Sequence, residues 1–299
     1  MTAFEVIALI ISGLFVGFIN TLAGGATIIS LSIFMMFGLP ANVANGTNRI
    51  AAFLQTLVAV GSFKKQKILE EKKGIKLGIP TAIGSIIGAK IAIDLDEKII
   101  EKAVAVIMLI MLVFILYKPK RWLKQNDELV AKKVSIFQIV LFFFIGVYGG
   151  FIHAGVGYLL IAGVVVSAGY DLVKANAIKN LIVLMYVPFT LLIFIISNQV
   201  NYKYGLIHAI GNIIGAYFAS KFAVSWGPSF VKWLMVVVIL FLSAQMFGVI
   251  DVKSIINYGL SDQIIICHRF TETQIRFFVF NHKGHKVNTP RTPRKKRKN

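Results

Sequence analysis

The chain has 299 residues, of which 57% are hydrophobic and only 15% charged, where soluble domains carry roughly 25% charged residues; its mean hydropathy is +0.77. The formal charge of +19 is uneven, with 11 Lys/Arg against 3 Asp/Glu from Asp251 onward. This balance excludes a soluble globular domain, and the single Cys267 excludes an internal disulfide or a cysteine metal cluster.

Long apolar runs account for the composition. Residues 3–22, 43–63, 77–93, 99–117, 136–152, 181–197, 204–220 and 230–249 approach or reach the roughly 20 residues that cross a bilayer core about 30 Å thick. The expected fold is therefore all-α and polytopic, a multi-pass integral membrane protein. The opening run lacks the basic n-region and small-residue cleavage site of a signal peptide and reads as a span.

Just after it, "NTLAGGAT" at 20–27 sets Asn20, Thr21, Gly24, Gly25 and Thr27 in apolar surroundings, and the next apolar run, 26–37, has 12 residues. That is about 18 Å of helix, too short to span. The start of such a helix offers unpaired N–H groups and a positive dipole end, a place for an anion. Thr27 and Ser30 either touch a ligand or cap the short helix. The following run opens "ANVANGTNRIAAFLQT", which puts Asn45, Thr47, Asn48, Arg49 and Gln55 in or beside an apolar helix.

Six lysines occupy the loop 64–76 and six Lys/Arg the loop 118–133, with the acidic turn "DLDEK" at 94–98 between them. The positive-inside bias places both basic loops in the cytoplasm, so that 77–93 and 99–117 form a hairpin and the N-terminus lies outside.

The second half repeats the first. "AIGSIIGA" at 82–89 recurs as "AIGNIIGA" at 209–216, an offset of 127, and "GLFVGFIN" at 13–20 recurs as "GVYGGFIH" at 146–153, an offset of 133. Five segments per unit is an odd number, so the two units are expected to be inverted. The resulting division is repeat 1 at 1–117, a basic cytoplasmic linker at 118–134, repeat 2 at 135–250, and a poorly ordered basic tail at 251–299. The count sets this tail outside, against the charge bias, although long tails follow that bias weakly.

The second unit carries its own break. "HAGVG" at 153–157 contains His153, Gly155 and Gly157 and precedes an equally short run at 158–169, while "VKANAIKNLIV" supplies Asn176, Lys179 and Asn180. Matched short, Gly-interrupted segments in two halves point to a transporter's binding site. Arg49 and Lys179 either line the pathway or snorkel to the interface. His153 is either a packed, hydrogen-bonded histidine or a ligand and relay for a coupling proton.

Acidic residues near the spans (Glu5, Asp94, Asp96, Glu97 and Glu101) lie at segment edges, which argues against a carboxylate-based cation pump. Amides, hydroxyls, backbone N–H groups and a few cations remain, and these suit an oxyanion. The candidate substrate-binding set is Asn20, Thr21, Gly24, Gly25, Thr27, Thr47, Asn48, Arg49, His153, Gly155, Gly157, Lys179 and Asn180. No nucleophile–base pair, Walker loop or zinc-binding helix appears, so neither an enzyme nor a cofactor is expected. The basic tail fits anionic lipid rather than nucleic acid.

The stretch "GLFVGFINTLAGGATIISLSIFMMFGLPANVANGTNRIAAFLQTLVAVGSF" resembles the first repeat of the TauE/SafE sulfite exporter family. That pattern is G-x-x-x-G, a Gly-rich break, a helix ending in Gly and Pro, then A-x-x-T-[NS]; here Gly13, Gly17, Gly24, Gly25, Gly38, Pro40, Ala44, Thr47 and Asn48 carry it. The likeness runs over roughly 5–249, and Ala26 departs from it where a third glycine is frequent. It implies a multi-pass carrier of the bacterial inner (plasma) membrane for sulfite, thiosulfate, sulfoacetate or related sulfonates, with substrate and direction varying within the family. The alternative of another class is a non-transporting scaffold or sensor that acts through the basic tail.

Overall fold

The computed structural model describes residues 1–93 and 123–246; the expected segment 99–117, the acidic turn 94–98, Cys267 and the tail 251–299 lie outside the described residues. With helices numbered in chain order, α1 (Ala3–Leu22) opens with a capping box in which Thr2 and Glu5 satisfy each other's backbone N–H groups. It stops where Gly24 takes φ +91, a left-handed conformation that costs a glycine little. Short α2 (Thr27–Met36) has ten residues, and α3 (Ala41–Lys65) and α4 (Glu71–Ala92) follow.

Beyond the undescribed stretch, the turn α5 (Asp127–Ala131) precedes α6 (Ile136–Phe151), which again opens with a capping box, Ser135 with Gln138. Short α7 (Val156–Gly163) runs into a π-helical turn (Val164–Ala168). Then come α8 (Leu172–Ile196) and α9 (Tyr202–Met246), the latter bent at Gly227–Pro228. No strand occurs among the described residues.

Apolar runs and helices coincide only in part. The run 181–197 is only part of α8, which starts at Leu172 because Asp171 Oδ1 accepts from Val173 N and Lys174 N and caps it. The runs 204–220 and 230–249 fall on either side of Gly227, where φ +74 and ψ −177 interrupt the helix, so two helical stretches meet at a kink as the two runs suggest; residues 247–249 lie outside the described residues.

The packing is inside-out relative to a soluble protein. Along α4, Ile75, Ile79, Ile83, Ile87 and Ile91 all face outward, while Gly78, Ser85 and Gly88 face inward. Arg49, Asn176, Lys179 and His208 are buried. Lipid provides no hydrophobic drive between helices, so small residues and polar contacts join them. Ala3–Leu22, Glu71–Ala92 and Leu172–Ile196 are each long and apolar enough to cross a membrane.

The repeated motifs pack crosswise. A Cβ added at Gly13 or Gly17 of α1 would strike the backbone of His208 or Asn212 in α9; one at Gly146 or Gly150 of α6 would strike the backbone of Thr81 or Ser85 in α4. The first motif of each half therefore rests on the second motif of the other. Asn212 and Ser85, the one differing position between the octapeptides, face these glycines in both places.

Candidate functional site

The two breaks meet. A Cβ at Gly24 would lie 2.6 Å from Gly157 Cα, and one at Gly157 2.5 Å from Gly24 Cα, so the tips of the two interrupted segments touch backbone to backbone. Gly155, at φ +77, makes the corresponding turn before α7. Gly25 packs on the Tyr158 ring, with no room for a side chain between them. Ala26 takes φ −74 and ψ −1, so the position where a third glycine is frequent needs none here.

Around this meeting point Asn20, Gly24, Thr27, His153, Gly157, Lys179 and Asn180 line one cavity, joined by Gln55, Thr56 and Val156. Its volume is about 20 Å³, room for a single water-sized group, so this conformation is closed to a larger ligand. The opening residues of α2 and α7, Thr27 and Val156–Gly157, both border it, so the positive ends of two short helices lie beside the cavity.

The flanking cations are deeply placed. Arg49 and Lys179 are 0% and 2% exposed, which rules out snorkelling to the interface. Both cap broken helices across the two halves. Lys179 Nζ donates to Asn20 O at 2.7 Å and Thr21 O at 2.9 Å, and to Asn176 Oδ1 at 3.1 Å. Arg49 donates to Gly149 O at 3.4 Å, Gly150 O at 2.6 Å and Thr190 Oγ1 at 2.8 Å, with its guanidinium 4.6 Å from the Phe194 ring centre.

Four carbonyls at each helix end have no partner within the helix. In α6 all four are met: Tyr148 O by Ile152 N, Gly149 O and Gly150 O by Arg49, Phe151 O by Asn45 Nδ2. In α1, Ile19 O is met by Ala23 N, and Asn20 O and Thr21 O by Lys179. A cation at a helix C-terminus also offsets the negative dipole end.

The other candidates divide. Asn20 Nδ2 donates to Thr27 Oγ1 at 3.2 Å, and Asn180 Nδ2 to Thr21 O at 3.3 Å and Asn176 O at 2.8 Å. His153 Nδ1 pairs with Tyr186 OH at 2.9 Å. Thr47 Oγ1 instead accepts from Asn201 N at 2.9 Å, tying α3 to the start of α9. Thr47, Asn48 and Arg49 lie off the cavity wall. Capping of α2 by Thr27 or Ser30 does not occur: the residue before it is Ala26 with no side-chain cap, and Ser30 Oγ bonds His208 Nε2 at 2.9 Å.

Sequence reasoning did not select Thr56, Tyr186, Thr190 or His208 for this region. Their signal is a lone polar residue in an apolar run, as in "LIVLMYVPFTLLIFII". Gln55 carried that signal too and was set beside the site rather than in it.

The chain is similar to known membrane transporter proteins. The sequence profile described as "Sulfite exporter TauE/SafE" matches residues 9–246. A "Probable membrane transporter protein" of Haemophilus influenzae is 25% identical over 234 residues, covering 78% of this chain and 91% of that protein. "Probable membrane transporter protein ORF9" of a Sinorhizobium species is 24% identical over 247 residues, covering 82% and 94%, and "Probable membrane transporter protein YfcA" of Escherichia coli K12 is 25% identical over 234 residues, covering 77% and 85%. No solved structure matches the chain. Outward isoleucines, buried polar residues and a profile match across nearly all the described residues lead to one conclusion: the chain belongs to the sulfite exporter TauE/SafE family and is a multi-pass membrane transporter.

Proposed function

We propose that the protein moves small sulfur-containing anions, such as sulfite, thiosulfate or organosulfonates, outward across the inner membrane by alternating access between two inverted repeats. The observation that carries this reading is the contact of Gly24 with Gly157 at a buried polar cavity. One break from each half meets there, and the positive ends of two short helices lie beside the cavity. Irregular backbone at membrane depth is tolerated where protein or a cavity satisfies it, and here Lys179 and Arg49 cap the ends of the broken helices.

Reciprocal packing of the repeated motifs supports two halves that rock about the tips, opening the closed cavity to one side and then the other. An inside-negative potential favours an anion leaving by about 2.3 kcal/mol per charge per 100 mV. Import would need a compensating proton, for which His153, paired with Tyr186, is a candidate relay on the cavity wall.

Flux of radiolabelled sulfite and thiosulfate through proteoliposomes tests the reading. The expected result is saturable movement that follows the imposed potential and falls about tenfold or more in a Gly24→Ala variant. Movement no faster than through protein-free liposomes, with either anion, contradicts it.

A further inference from the structure

The proposed anion site has a feature that an anion alone does not explain. Lys179 contributes no free donor to it: the three protons of its ammonium are matched by three bonds, to Asn20 O, Thr21 O and Asn176 Oδ1. The unmet valences on the wall are instead acceptors. Asn20 Oδ1, Gln55 Oε1 and Asn180 Oδ1 are buried and have no partner, and all three residues line the same cavity.

Asn180 is the firmest case. Its nitrogen donates to two backbone carbonyls, Thr21 O and Asn176 O, so the amide cannot be reversed without opposing two oxygens to a third. Asn20 and Gln55 give their nitrogens to hydroxyls, Thr27 Oγ1 at 3.2 Å and Thr21 Oγ1 at 3.5 Å.

Resting on the anion-transport reading, we propose that this site takes an anion that also carries a hydrogen-bond donor, an ammonium, a hydroxyl or an acid proton beside its sulfonate or sulfite group, rather than a bare oxyanion. The negative group faces the helix starts at Thr27 and Val156–Gly157, and the donor faces the carboxamide oxygens of Asn180, Gln55 and Asn20. A ligand without a donor strips water from those oxygens and gives nothing back, and buried acceptors left bare are costly.

Three sulfonates of one size separate the possibilities: 2-aminoethanesulfonate, 2-hydroxyethanesulfonate and ethanesulfonate, each competing with labelled sulfite for the purified full-length protein in detergent, in sodium and in choline buffer. The expected result is that the amino and hydroxy compounds compete about tenfold or more better than ethanesulfonate. That preference should shrink toward unity in Gln55→Met and in Asn180→Leu. The paired variants guard against misfolding of one, and the wild-type ratio stands without either. Equal competition by all three overturns the donor requirement while leaving the anion reading intact, as does sodium-dependent binding with no donor preference. No binding of sulfite or of any sulfonate overturns both.

Discussion

Lys179 sits where an unpaired charge would be ruinous, and the chain has matched its donors to the last carbonyls of α1. Replacing it by Met leaves Asn20 O without that donor and Thr21 O with only the Asn180 amide. The expected cost is about 1–3 kcal/mol, read as a lower thermal midpoint of the detergent-solubilised protein, with Lys179→Arg recovering part of it. If Lys179→Met is as stable as wild type, the capping role is wrong. Gly24→Ala introduces two penalties at once: a left-handed φ, costing about 1–2 kcal/mol in a residue with a Cβ, and a contact 2.6 Å from Gly157 Cα. The tips must separate, and flux should fall about tenfold or more. At this scale the sequence revealed polar residues stranded in apolar runs, Asn20, Lys179 and Asn180 among them. It did not reveal their partners, because the carbonyls of Asn20, Thr21, Gly149 and Gly150 are backbone and leave no mark in residue identity.

Between elements, glycine decides how near two helices come. Gly88 of α4 faces the backbone of Val147 and Phe151 in α6, whereas Gly61 of α3 has open space beside it. Gly88→Leu should therefore separate α4 from α6 and lower the thermal midpoint. Gly61→Ala removes a helix-interior glycine into free space and should be neutral or stabilise by up to about 1 kcal/mol. A similar loss at both positions would show that close approach is not what the glycines provide. Element lengths were largely legible: the two short helices come where 12-residue runs follow Gly-rich breaks, since length against bilayer thickness is a local property. The apolar run 181–197 alone falls short of the start of α8 at Leu172, because the opening turns hold Lys174, Asn176, Lys179 and Asn180, which a hydropathy scan rejects and a capped helix in a protein interior accepts; the polar stretch "VKANAIKNLIV" marked that opening. The two apolar runs 204–220 and 230–249, by contrast, flank Gly227, whose backbone leaves the helical region.

Across the whole molecule, reciprocity is the organising feature. The first helix of each half packs on the fourth of the other, and α3 and α8 each cap the opposite broken helix. The repeated motifs were legible in the sequence, but not that they would rest on one another; that pairing is long-range and set by tertiary packing. Rocking of the halves as the transport step requires that joining them stops flux. Ser62 of α3 and Ser220 of α9 offer the join, with their hydroxyls 2.6 Å apart, a separation from which two cysteines reach disulfide distance. The decisive measurement is sulfite flux through proteoliposomes carrying Ser62→Cys and Ser220→Cys, with Cys267 replaced by Ser, before and after reduction. Flux abolished in the oxidised protein and restored by reduction is the predicted result; equal flux in both states, with the cross-link verified, contradicts transport between moving halves.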